Sequence, residues 1–509
     1  MSERRDDAGT APTRELGLLD ATMIVMGSMI GSGVFITSAE SSKLVGSPGW
    51  LLAAWAIVGL LTICGSICCA ELAAMTPKSG GQYVFIREAY GRLIGFLFGW
   101  ATFLVVQTGT IAAVSVAFAK FLAVFAPIVS DKNYLVRPIH LGSHYAIALS
   151  TQQLAAICVI LTLTITNTRG LDIGKWIQNV FTIGKTAALA ALIVIGLGFG
   201  MNRSSAAWTS SWWNPAQNGW SAASVAPELV GLGSLAFVMI LGQAMIGPLF
   251  SQTAWNNVTF TGGEVRDPDR TLPRGLILGC AAVVGLYLLA NLSYVVVLPL
   301  EAIQHAPQER VATAAMNAIL GGIGVKAMAA AILVSTFGCV NGLILAGGRV
   351  FYAMAWDGLF FKAAGATNRK HVPAVAIVAG GIWSILLTLP VVLTKNEATG
   401  SYSYGNLYGQ LLEYIIPADL TFYALMIGAL IIMRYKAPAA RRPFRVPLYP
   451  LPAIVYLAIA LFLIVDFLYL KPKTSGVGFA IVLSGVPVYL VWRAIGIRAP
   501  KIDGSEAVG

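Results

Sequence analysis

The chain has 509 residues, 57% of them hydrophobic and only 11% charged, with a mean hydropathy of +0.75. A soluble globular chain carries about a quarter charged residues, so water is excluded as the solvent for most of this one. A bilayer-crossing helix takes about 20 apolar residues, and twelve with their connections use nearly the whole length. That leaves no room for a large soluble domain.

The net charge of +11 does not indicate a nucleic-acid partner, because Lys and Arg lie between apolar runs and form no basic domain. The cysteines Cys64, Cys68, Cys69, Cys158, Cys280 and Cys339 fall inside apolar runs and read as small packing residues. Residues 1–17 are polar, without the apolar core of a secretory signal, and read as a cytoplasmic tail. Apolar runs follow at 18–45, 49–76, 93–126, 146–167, 174–200, 227–261, 274–299, 322–356, 372–394, 408–434, 448–470 and 475–496. With a cytoplasmic N-terminus, the basic clusters at Arg169/Lys175, Arg266/Arg270/Arg274, Lys362/Arg369/Lys370 and Arg434 to Arg445 all fall on inner loops. That is the positive-inside pattern of a plasma (inner) membrane protein with both termini cytoplasmic. Trp208, Trp212, Trp213 and Trp220 fall on an outer connection, at headgroup depth.

Two runs are faulty as membrane helices. The first is interrupted by Gly31-Ser32-Gly33, and the sixth carries Pro248 and then Ser251-Gln252-Thr253. Proline removes a backbone donor and glycines cost helix stability, so each run can split in two. Bare backbone groups at mid-membrane are tolerated only where they line a cavity or bind something. Faults at matching positions in the first and sixth spans predict an inverted repeat of five helices plus five. Taken singly, Gly27/Gly31 would read as a packing face and Pro248 as an ordinary kink; the matched pair favours a site.

At these residues the chain resembles the amino acid, polyamine and organocation superfamily of transporters. The motifs are Gly27 to Phe35, Glu71 to Tyr83, Asn341-Gly342 with Arg349, and Ala355 to Gly358. Phe181 to Lys185, Trp255-Asn256 with Gly263-Glu264 and Pro268, and Arg442 to Pro447 are similar to the L-type amino acid transporter branch. The resemblance implies an all-α membrane protein of twelve transmembrane helices with broken helices one and six. Its parts would be a first repeat at 18–200, a second at 227–434, two further spans at 448–496 and a cytoplasmic tail at 497–509. Two departures stand out. Thr253-Ala254 replaces the glycine, or acid plus glycine, that family members often carry before this tryptophan, implying a stiffer backbone and no fixed charge facing the cavity. The outer loop 127–144 lacks the cysteine of animal members that pair with a heavy chain, so no disulfide-linked heavy chain is expected.

The resemblance implies a backbone-led amino acid site. Helix ends offer N–H groups to a carboxylate, here Ser32 and Gly33, and unwound carbonyls of Met29, Phe250, Ser251 and Thr253 would take the ammonium. Phe250 occupies the place of an aromatic lid. Gln252, Thr110 and Asn341 are candidates for the side-chain pocket, with interhelical hydrogen bonding as the alternative. Lys185, inside an apolar helix, should face the bundle and have a partner. Similarity to sodium-coupled relatives suggests that its ammonium stands in for sodium against carbonyls near Gly27 and Ser28.

Asp419 and Glu413 are acidic outliers of helix ten, Asp419 being expected to pair with a polar neighbour or to approach substrate. Glu264, Arg266, Asp267, Asp269 and Arg270 could form gating pairs with Arg14 or Glu15, or be solvated loop charges. There is no phosphate loop, metal-ligand spacing or nucleophile motif, so no cofactor and no enzymatic activity are expected. The function expected is sodium-independent secondary transport of small neutral amino acids, as an antiporter or linked to protons. The rivals are an amino-acid-binding membrane receptor and an amine or polyamine carrier; the tails are short for a receptor, and the sixth-helix break lacks the carboxylates of a polyamine site.

Overall fold

The computed structural model describes residues 16–77, 80–141, 145–169, 171–200, 211–368, 372–395, 402–404 and 407–494. Arg14, Glu15, His144, Trp208, Arg369, Lys370, His371 and the side chain of Lys175 lie outside them. The helices in chain order are α1 (Leu18–Met29), α2 (Gly33–Ile36), α3 (Ser38–Val45), α4 (Pro48–Met75), α5 (Gln82–Tyr90), α6 (Arg92–Ala101), α7 (Gln107–Leu122), α8 (Thr151–Thr168), α9 (Leu171–Gly200) and α10 (Ala222–Val225). They continue with α11 (Ser234–Ala244), α12 (Ile246–Ser251), α13 (Asn257–Phe260), α14 (Pro268–Val297), α15 (Leu300–Gln304), α16 (Val311–Trp356), α17 (Ala374–Leu387), α18 (Leu407–Lys436), α19 (Leu451–Leu470) and α20 (Ser475–Ala494). The end of the bundle carrying residue 16 is called inner below, the opposite end outer.

Among the described residues, 9 helices are long and apolar enough to cross a membrane. The other three runs fall short for separate reasons. The first is divided into α1, α2 and α3. The fourth, α8, opens with Gln152 and Gln153 and closes with Asn167, all buried against protein. The ninth, α17, has 14 residues before the chain turns into a strand. Two helices carry local faults: a π-helical turn at Thr102–Val106 joins α6 to α7, and Gly321, at φ 62°, breaks α16 near its outer end.

The core follows from these helices' apolar sides. α4 packs on α14, α7 on α16, α9 on α16, α18 on α7, and α1 sits against both α14 and α16. At the inner end Leu16 pairs with the chain after α13, its N–H reaching Glu264 O at 3.0 Å while Arg266 N–H reaches Leu16 O at 2.9 Å. Glu71 of α4 is fully buried and takes bonds from Arg434 Nε at 2.9 Å and the Val446 N–H at 2.8 Å. That ties the basic segment between α18 and α19 to the first half of the chain.

A four-stranded antiparallel sheet on the outer end was not anticipated. Its order is β1 (Tyr134–His140), β2 (Tyr145–Ser150), β3 (Pro390–Lys395) and β4 (Tyr402–Tyr404). The fourth apolar run was expected to be helical from residue 146. Its first residues instead pair with β3, and the helix begins where Ser150 caps it by accepting from Gln153 N–H at 3.2 Å. Residues 145–149 are a continuous apolar run, which periodicity alone does not tell from the start of a helix. The pairing partner, more than 200 residues away, gave no signal. The outer tryptophans also pack: Trp220 Nε1 donates to Leu44 O at 2.8 Å and Trp50 meets Trp213 edge-on. The described cysteines are free, Cys158 exposed and the others buried.

Candidate functional site

α1 ends with the Ile30 N–H bonding Met26 O at 2.9 Å. Ile30 is extended, at φ −73° and ψ 93°, and the helix resumes at Gly33, running through Thr37 into α3. Among the described residues no backbone carbonyl accepts from the N–H of Ser32 or Gly33. These are the orphan donors at the start of a helix, where the macrodipole is positive.

In the sixth run Pro248 divides α11 from α12 at Met245, where Ala244 O, left without the N–H that Pro248 lacks, accepts from Ser41 Oγ at 2.7 Å. The unwound stretch is a second interruption, and the chain leaves the helix there after Ser251. Gln252 to Asn256 bridge to α13, with Ala254 at φ 65°, a left-handed conformation unusual for a residue with a Cβ. Thr253 Oγ1 donates to Phe250 O at 2.9 Å, and the Ala254 N–H donates to Tyr423 Oη at 3.1 Å.

The two breaks meet. A Cβ on Gly33 would lie 2.9 Å from Ser251 Cα and 2.8 Å from its Cβ, so the contact requires glycine at residue 33. Met29, Ser32, Gly33, Thr110, Phe250, Ser251 and Thr253 line one small cavity there, with Cys339 of α16 on its far wall. Thr110 reaches it from α7, just after the π turn, its hydroxyl donating to Val106 O at 2.6 Å.

The carbonyls of the first break are held by other helices. Tyr287 Oη donates to Met29 O at 2.9 Å, Tyr294 Oη to Val34 O at 3.2 Å and Ser335 Oγ to Gly31 O at 3.3 Å. Lys185, fully buried on α9, donates to Gly27 O. Met29 O therefore shares its lone pairs between Tyr287 and any ligand.

Three candidates do not line this cavity. Lys185 stands behind the break. Asn341 is fully buried and accepts from Asn167 Nδ2 at 2.9 Å, bonding α16 to α8. Gln252 lines a neighbouring cavity on the inner side with Thr62, Asp419 and Tyr456. Asp419 borders that cavity and another that includes Thr253 and Gln107.

Layers close the site at both ends. Outside it, Phe250 meets the Tyr408 ring edge-on at 5.9 Å, and Tyr408 Oη lies 3.1 Å from Ser32 Oγ. Lys120 sits above that ring and pairs with Glu309 at 3.0 Å. Inside it, Tyr423 Oη donates to Asn256 Oδ1 at 2.8 Å, Asn256 Nδ2 donates to Gln82 Oε1 at 2.5 Å, and Trp255 stacks on Tyr423. Farther in, Glu264 pairs with Arg349 at 3.2 Å and Asp357 with Arg87. Burial, with the Asp357 carboxylate beside it, pushes the pKa of the Tyr83 hydroxyl up. Asp269 pairs with the exposed Arg441 at 3.0 Å, and Glu413 with Lys471 at 3.2 Å.

Sequence reasoning missed Tyr287, Tyr294, Tyr408 and Tyr423, which brace or cover the breaks. Their signal was available: hydroxyls inside apolar spans need partners, and Tyr287, Asn291 and Tyr294 recur at helical spacing on one face of α14.

Residues 16–492 match the family described as amino acid permease. The large neutral amino acids transporter small subunit 2 of Mus musculus is 30% identical over 487 residues, 95% of this chain and 82% of the relative. The serine/threonine exchanger of Bacillus subtilis (strain 168) is 28% identical over 480 residues, covering 94% of this chain and 96% of the relative. The Asc-type amino acid transporter 1 of Homo sapiens is 28% identical over 497 residues, covering 94% and 83%. With nearly its whole length matched, the chain belongs to the amino acid permease family.

Proposed function

We propose that the chain exchanges small neutral amino acids across the plasma (inner) membrane without sodium, by alternating access around the cavity between the two breaks. The observation that carries this reading is the contact of Gly33 with Ser251, which brings the orphan N–H groups of Ser32 and Gly33 and the carbonyls of Met29 and Ser251 around one cavity. A zwitterion's carboxylate fits the former and its ammonium the latter. The names of the relatives support neutral substrates and exchange.

In this reading the chain crosses the bilayer twelve times, the nine long apolar helices being joined by the broken first span, α8 and α17. An inverted repeat of 18–200 and 227–434 explains the packing. If span n corresponds to span n+5, the contact of the fifth span with the eighth, α9 on α16, mirrors that of the tenth with the third, α18 on α7. The second-seventh and third-eighth contacts map onto themselves. α1, α4, α12 and α14 would rock against α7, α8, α16 and α17, opening either the Phe250–Tyr408 layer or the Tyr423–Asn256 layer. Lys185 holds the place that sodium takes in coupled relatives, tying α9 to α1. Both termini lie in the cytoplasm.

Counterflow in liposomes tests the proposal. Vesicles preloaded with unlabelled alanine, serine, threonine, leucine, lysine or putrescine are given a labelled neutral amino acid. Acceleration by the neutral members is expected. Acceleration by putrescine or lysine alone identifies an amine carrier, and binding without acceleration by any of them identifies a receptor.

A further inference from the structure

One pair of buried polar side chains plays no part in the site. Asp466 lies one turn from the outer end of α19 and is 2% exposed. Gln243 of α11 is 6% exposed, and its Nε2 donates to Asp466 Oδ2 at 2.9 Å. The remaining oxygens of both, Asp466 Oδ1 and Gln243 Oε1, are buried without a donor among the described residues. The fit is close: a Cβ at Gly242 would lie 2.5 Å from Asp466 Oδ2, so glycine is what lets the carboxyl reach α11.

We propose that Asp466 and Gln243 form a proton-binding site on the contact between α11 and α19. An ionised carboxylate in a membrane span, with one neutral donor and no cation, is costly. Taking up a proton removes the charge and supplies a donor where two acceptors lack one. The elements packed on α19 offer no other solution. α11 carries no ionisable residue, the outer half of α4 from Pro48 to Thr62 carries none, and α20 has only Tyr489 and Arg493, near its inner end. At this end α18 presents Tyr408, Glu413 and Tyr414, and Glu413 already pairs with Lys471.

Gln243 also lines a wide cavity at the outer end, together with Glu40, Glu228, Glu309, Glu413 and Lys471, the last paired with Glu413, which gives protons a route from the outer solution. The coupling is mechanical. α11 runs into α12, which supplies Phe250 and Ser251 to the substrate cavity. Protonation holds α11 against α19, and loss of the proton releases it, so the proton and the substrate bias the same moving element.

This inference rests on the transport reading, and the experiment separates the two. Counterflow of a neutral amino acid is measured in liposomes of fixed inner pH while the outer pH is varied. The rate should change by up to about tenfold per pH unit across the titration of one site and level off on either side. Asp466→Asn should abolish that dependence, and Gln243→Leu should move the pH at its midpoint. Infrared difference spectra provide a second readout: the C=O stretch of a protonated carboxyl group should be present in the wild type and missing in Asp466→Asn, whether or not the variant transports. Counterflow with no response to the outer pH, or a variant spectrum equal to the wild type, overturns the proton site and leaves the transport reading standing. Absence of counterflow with every amino acid overturns the transport reading itself.

Discussion

The two helix breaks do the same job by opposite means. The first is rich in glycine, yet none of its residues has a positive φ. Its glycines provide room, Gly33 against Ser251 and Gly31 against Cys339 Sγ, which a Cβ would approach to 3.0 Å. Its carbonyls are braced from outside by Tyr287, Tyr294, Ser335 and Lys185. The second break is held by its own chain, through Thr253 Oγ1 to Phe250 O, and from other helices by Tyr423 and Gln82, and it places an alanine where the backbone is left-handed. The first break therefore depends on the room beside its glycines, and the second on the conformation of its own backbone.

The sharpest test of that difference is Gly33. One carbon inserted into a packed contact costs about 1–3 kcal/mol, so Gly33→Ala should lower amino acid affinity by about fivefold to 150-fold. Gly33→Val should abolish binding in a protein that still folds. Because the Ser251 Cα is itself within 2.9 Å of the new carbon, adding Ser251→Gly should not restore binding. Scintillation proximity binding on monodisperse protein reads all three. Wild-type affinity in folded Gly33→Val rules the site out.

Lys185 comes next in size. Truncation to Ala leaves Gly27 O buried without its donor, at about 1–3 kcal/mol. Turnover per folded molecule should fall by at least about tenfold. Replacing sodium with potassium or choline should leave wild-type uptake unchanged. A structural lysine predicts lower stability with normal turnover, and strict sodium dependence of the wild type overturns the role altogether.

Both breaks were legible because they violate the rules for a membrane helix at matching positions, and a violation is local. The bracing was less so. Lys185 announced itself as a charge in an apolar span, and its partner near Gly27 followed from resemblance. Tyrosine is unremarkable in such a span until its hydroxyl is asked to find a partner, so Tyr287 and Tyr408 went unnamed. Asn341 shows the converse: a polar residue in the right helix, but turned toward Asn167 on α8 rather than toward the cavity. The face a residue occupies depends on helix rotation, and an almost uniformly apolar helix carries little periodic signal to set it. Pro248 marked only part of the answer, because a proline interrupts a helix one turn upstream, here at Met245, and the unwound residues 252–256 follow it.

Selectivity is a smaller effect, lodged in the second break. Thr253 lines the cavity and carries no charge, so the wild type should take alanine, serine and leucine in preference to arginine. Thr253→Asp adds a carboxylate that a cationic side chain can meet. It also removes the hydroxyl donated to Phe250 O, so absolute rates should fall while the ratio of lysine to alanine uptake rises several-fold, about 1 kcal/mol of discrimination. Competition against labelled alanine measures the ratio. A wild type that prefers arginine defeats the argument from the missing charge.

The smallest expected effect tests whether the second break is strained. Left-handed backbone costs a residue with a Cβ about 1–2 kcal/mol. Glycine avoids that cost but gives up about 0.5–1 kcal/mol in conformational entropy on folding. Ala254→Gly should therefore stabilise the protein by about 1 kcal/mol or less, seen as a rise of a few degrees at most in melting temperature in detergent. The matching change at the first break, Gly31→Ala, should lower it, because there the glycine provides room beside Cys339 and no special φ. Opposite signs at the two breaks are what the comparison requires. If both changes destabilise, Ala254 is not a source of strain, and the Tyr423 bond to its N–H, together with the packing of Trp255 on that ring, must depend on the alanine methyl group.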